Sequence, residues 1–164
     1  MRKQIDSIFV YLFFIACWIF FFYFYPYHLH YKEQITLCVL QPDFLQTYLQ
    51  KPAFLTEICG DYLTQFFLWT GGGSSILTLT FVFTWLGLRI ALRKTGITSH
   101  TSLWALLPIV AEWALSCHLE YLLSMSLGLM CSVWAFSLST LSTSTRTRGI
   151  LHVVMLTILY CAGG

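Results

Sequence analysis

The sequence predicts an all-α, polytopic membrane fold: about five membrane-crossing helices and a collar of short interfacial ones, in a single membrane domain. Three observations carry this. The first is composition: 57% of the 164 residues are hydrophobic and only 10% charged, with a mean hydropathy of +0.72. Soluble domains carry about 25% charged residues, so charge here is too sparse to wet the surface all round, and lipid has to solvate most of it. The second is the gathering of apolar residues into runs at 8–25, 71–92, 103–117, 122–138 and 149–164. The third is where the cations fall. Arg2 and Lys3 precede the first run, Arg89, Arg93 and Lys94 close the second, and Arg146 and Arg148 precede the fifth.

The first run opens behind Met-Arg-Lys-Gln-Ile-Asp-Ser and continues from Ile8 to Tyr25 without a charge. A basic start before an apolar run also fits a secretory signal, but this run is rich in Phe, Tyr and Trp and lacks a small-x-small cleavage site. A retained helix is the better reading. Eighteen residues give roughly 27 Å, close to the ~30 Å hydrocarbon thickness.

Residues 26–70 form the first connection. Asp43 follows Pro42, and Phe44, Leu45, Tyr48 and Leu49 then share a helical face; Pro52 can open a second short helix with Phe54, Leu55 and Ile58, ended by Gly60. Asp61 can cap a third, in which Leu63, Phe66 and Phe67 align. Short helices with one apolar face lie flat on a bilayer, so 40–70 is expected to be an interfacial collar. Gly71-Gly72-Gly73 lacks the Lys-Ser/Thr of a phosphate loop and reads as a break before the second span.

The third run contains Pro108, which withholds a backbone donor from the carbonyl of Trp104 and favours a kink there. The Ser/Thr tract at 137–149 is a short connection. The last run ends in "LYCAGG". Its sixteen residues reach roughly 24 Å, and with no charged or interfacial anchor its last carbonyls would finish in hydrocarbon. The expectation is that the chain is the front part of a longer protein.

With the N-terminus inside, seven cations face one side and only Lys32 and Lys51 the other. The positive-inside rule then predicts a cytoplasmic N-terminus, loop 26–70 outside, 93–102 inside, 118–121 outside and 139–148 inside. In a bacterial inner membrane, 26–70 is periplasmic. A net charge of +2 without a Lys/Arg stripe argues against nucleic acid as a partner. The expected partners are the bilayer and either further C-terminal helices or another membrane subunit. No cofactor is implied.

The string "YLFFIACWIFFFYFYPYHLHYKEQ", followed by "DYLTQFF" and the glycine break, resembles the opening of a family of multi-pass inner-membrane proteins of Bacteroides-type bacteria that carry a domain of unknown function. The resemblance covers most of this chain but only the N-terminal part of such a family member, and it implies location and length rather than chemistry. A looser similarity, at the level of fold alone, is to lipid-linked glycosyltransferases. In those enzymes the first outer loop bears a catalytic acid and horizontal helices lie against the membrane. That similarity gives the acid's role to Asp43, or else to Glu33, although the paired acidic signature of those enzymes is absent from this loop.

The candidate site residues follow. His28 and His30 are an H-x-H pair that could ligate a metal, with Cys38, Asp43, His118 and Glu120 on the same side. On a helix, however, they lie about 200° apart, and Tyr25, Tyr27 and Tyr31 around them suit an aromatic belt at headgroup level. The belt is preferred. Glu112 is a carboxyl inside a membrane segment, a functional candidate by default; the competing reading is a structural hydrogen bond to Thr78, Thr80 or Ser116. His118 and Glu120 occupy the outer turn and could form a polar cluster with Asp43 or Asp61, or could simply be the polar residues any such turn needs. Arg89 is explained by snorkelling to the headgroups. Of six cysteines only Cys38 and Cys59 lie outside the apolar runs, where they either pair or pack.

The leading expectation is therefore a non-catalytic or incomplete membrane segment of an envelope protein. One alternative is the front part of an enzyme acting on a lipid-linked substrate, with Asp43 as acid/base. The other is a carrier in which Glu112 binds a proton or cation.

Overall fold

The computed structural model describes residues 2–36, 46, 48–49, 52–97, 99–141 and 145–162. Among the described residues the regular structure is helical: α1 (Arg2–Tyr23), α2 (Pro26–Ile35), α3 (Phe54–Thr64), a 3-10 turn (Gln65–Leu68), α4 (Gly72–Lys94), α5 (Thr101–Trp104), α6 (Leu106–Ser116), α7 (Leu123–Leu141) and α8 (Thr145–Ala162). Three helical stretches are long and apolar enough to cross a membrane: Asp6–Tyr23, Gly72–Lys94 and Leu123–Thr140.

Boundaries follow backbone chemistry. Pro26 takes the first helical position of α2, and its ring restrains Tyr25. Gly71 precedes α4 with φ +81°, a left-handed conformation that glycine adopts without penalty. The predicted third span is interrupted at Ala105, splitting α5 from α6. The break falls within a turn of Pro108, which cannot donate to the Trp104 carbonyl. Taken alone, the 11 residues of α6 reach only about 16 Å.

The collar differs from its expected form. Gly60 and Asp61 do not separate two helices; both lie inside α3. Gly60 serves close approach instead, because a Cβ there would stand 2.8 Å from the backbone nitrogen of Ser124 at the start of α7. The expected helix around Pro42, Asp43, Phe44 and Leu45 lies outside the described residues.

The core is apolar and aromatic, built from Val10, Phe14 and Phe21 of α1, Leu77, Phe81 and Trp85 of α4, Ile109 of α6, and Leu123 and Leu127 of α7. Phe14 meets Trp85 edge-on at 5.8 Å between ring centroids. Between α4 and α7, a Cβ on Gly87 would reach within 2.8 Å of Val133, so the backbones come close. Ser137 Oγ donates to the Gly87 carbonyl at 2.7 Å and Trp134 Nε1 to that of Phe83 at 3.1 Å. Small residues and interhelical hydrogen bonds are how helices associate where the surrounding solvent is as apolar as their side chains.

Two ends of the bundle can be told apart. At one, Asp6 of α1 lies 3.0 Å from His100, just before α5. At the other, α2 meets the turn between α6 and α7 through Lys32. The last turn of α8 reaches that second end too, where the Ala53 amide donates to the Tyr160 carbonyl at 3.2 Å.

Candidate functional site

The polar chemistry concentrates where α2 covers the α6–α7 turn. Lys32 is only 4% exposed. Its Nζ donates to the carbonyl of Ser116 at 2.8 Å and to that of Tyr121 at 2.9 Å. Ser116 ends α6, and the last carbonyls of a helix have no partner within it and carry the negative end of its dipole. A lysine from α2 thus supplies the cap that the α6 sequence lacks. Burial pushes its amine down to about 8, with the neighbouring Cys117 thiol opposing.

His28 lies one turn before Lys32 on the same face. Its ring meets Tyr25 edge-on at 4.9 Å, and its Nε2 is buried without a hydrogen-bond partner. Burial first, then the Lys32 charge, lowers its pKa, while the Cys117 backbone pulls the other way. His30 is on another face of α2, beside a small hollow lined by Phe21, Leu29, Phe67 and Gly71. The helix therefore parts the H-x-H pair. No group of three or more His, Cys, Asp or Glu able to hold a metal occurs among the described residues.

His118 and Glu120 are exposed in the turn and line a shallow hollow with Leu115, Leu119 and Met125. The turn meets α2 through Lys32, which the sequence counted only as a flanking charge. Asp61 accepts from Tyr48 Oη. Asp43 lies outside the described residues, and Glu33, the other acid considered for that role, is buried in α2. Cys59 carries a free thiol, and Cys38 is outside the described residues.

Glu112 sits one turn deeper than Ser116 and is 1% exposed. Neither carboxyl oxygen has a hydrogen-bond partner. Ser126 Oγ, from the first turn of α7, is likewise without a well-formed hydrogen bond, yet it lies close enough to interact with the carboxyl. Tyr121 is near both, and burial raises its phenol, with Ser126 opposing and the Glu112 charge adding. Of the hydroxyls expected to satisfy Glu112, Thr80 donates to the Ile76 carbonyl and Ser116 to the carbonyl of Glu112 itself, while the Thr78 hydroxyl is buried without a hydrogen-bond partner. Ser126 had no sequence signal to mark it, because its pairing depends on how α7 folds back on α6.

Among the described residues, fold and site define a helical protein with three membrane-length apolar helices and a buried polar cluster at one end of the bundle. The chain belongs to the Family of unknown function (DUF6057), which matches residues 2–164. No curated protein and no solved structure matches it.

Proposed function

We propose that this chain is a non-catalytic, multi-pass segment of a bacterial inner-membrane protein of the Bacteroides type, crossing the bilayer five times with its N-terminus in the cytoplasm. One observation carries the reading: its outward faces are greasy while its interior holds hydroxyls. Phe9, Leu12 and Ile15 of α1, Leu79 and Phe83 of α4, Phe136 of α7 and Val153 and Leu156 of α8 are exposed. Ser74, Thr84, Ser126, Ser137 and Ser139 are buried. Water would penalise that arrangement, and lipid favours it. The interrupted pair α5–α6 and helix α8 supply the third and fifth crossings in this reading. Alkaline carbonate extraction tests it: the protein stays in the membrane pellet, and its release into the supernatant contradicts the reading.

A second reading, a carrier in which Glu112 binds a proton or cation, is favoured by the two unpaired carboxyl oxygens in the interior. Proton or cation flux in proteoliposomes that is abolished by Glu112→Gln, with insertion intact, supports it. Equal flux in both proteins removes it. The lipid-linked transferase reading rests on Asp43, which lies outside the described residues.

A further inference from the structure

At the end of the bundle opposite Lys32, a hollow of about 480 Å³ opens between the start of α1, the end of α4 and the start of α5. Its lining is unlike the rest of the molecule: Arg89 and Arg93 of α4, Asp6 and Ser7 of α1, His100, Thr101 and Ser102. The two arginines are four residues apart and so share a helical face.

Snorkelling would carry the Arg89 guanidinium out to open headgroups, and the structure holds it otherwise. The guanidinium lies over the Trp85 ring, 5.1 Å from its centroid. That ring is itself fixed, since Trp85 Nε1 donates to the Ser102 carbonyl at 3.0 Å. The Arg89 Nε is buried and has no hydrogen-bond partner. The carboxylate of the hollow is already engaged, with Asp6 Oδ2 3.0 Å from His100 Nδ1. Two forked cations therefore face one occupied carboxylate. A guanidinium fork pairs bidentately with the oxygens of a phosphate, and more strongly than a neutral donor does.

We propose that this hollow binds a phosphate group, held by Arg89 and Arg93, supplied either by the headgroup of an anionic phospholipid or by a free phosphate-bearing solute. The inference rests on the membrane reading only for the lipid source; free phosphate would bind whatever surrounds the helices.

The test uses the full chain in maltoside micelles, which contain no phosphate. Thermal unfolding is followed with added phosphatidylglycerol, with inorganic phosphate, and with chloride at matched ionic strength; native mass spectrometry counts retained lipid. The expected result is a phosphate-dependent rise in Tm above that with chloride. Arg89→Gln and, independently, the exposed Arg93→Gln each weaken the apparent affinity about tenfold or more. Asp6→Asn, which removes the opposing charge, strengthens it. A rise with phosphatidylglycerol alone identifies the lipid headgroup, and a rise with inorganic phosphate identifies a solute site. The proposal is overturned if neither additive exceeds chloride. It is overturned equally if Lys94→Gln, outside the hollow, costs as much as Arg89→Gln, or if Asp6→Asn weakens binding.

Discussion

The ammonium of Lys32 lies 2.8 Å from the carbonyl of Ser116, 84 residues further along the chain. One buried cation thus closes the end of α6 and fixes α2 over the α6–α7 turn. The contact joins the first connection to the α6–α7 turn at one end of the bundle.

Titration of that lysine is the first prediction. Burial lowers its pKa from 10.5 to about 8, so between these values the unfolded chain holds the proton more tightly than the folded one. Stability from this group therefore rises as pH climbs through that window and is lowest below it. Each pKa unit corresponds to about 1.4 kcal/mol, so a rise on the order of 1–3 kcal/mol is expected. Chemical denaturation in micelles at a series of pH values should show it as the difference between the wild type and Lys32→Met. Lys32→Met keeps the stem and has nothing to titrate, so its curve should lack the rise; parallel curves would refute the assignment.

Gly60→Ala should destabilise the protein by about 1–3 kcal/mol, the usual cost of overpacking. The added Cβ would meet the Ser124 backbone at 2.8–2.9 Å, and backbone has little room to give. Gly149→Ala is the control, since nothing lies within 4 Å of its added Cβ. Melting temperatures should fall for the first and hold for the second. Equal shifts would mean that α3 and α7 do not approach so closely.

Glu112→Leu should leave stability unchanged or raise it by about 1–3 kcal/mol. Both carboxyl oxygens are buried without partners, and removing an unsatisfied polar group relieves its desolvation cost. A clear loss in thermal stability would show that the carboxyl is satisfied by a bond with Ser126.

Much of the fold was legible because apolar runs and their flanking charges report on solvent, and solvent dictates helices where backbone groups cannot reach water. The break near Pro108 was legible for a local reason, a missing donor. Gly60 was misread because a glycine that stops a helix and one that admits a neighbour look alike until the neighbour is placed. Lys32 was counted as a flanking charge, for no local signal says that a lysine after an aromatic belt turns inward. Glu112 was singled out from its residue type alone. Its companion Ser126, like the Trp85-anchored Arg89, depends on which helices become neighbours, and that is a property of the whole chain.

In the proposed topology, greasy helices cross a bilayer and hold their basic flanks on the cytoplasmic side. Single cysteines placed in a cysteine-free background at Glu120 (Glu120→Cys) and Thr95 (Thr95→Cys), both exposed and at opposite ends, test it with a membrane-impermeant maleimide. Intact spheroplasts should label at position 120, and position 95 should react only after lysis. Labelling of position 95 from outside, or of both positions alike, would contradict it.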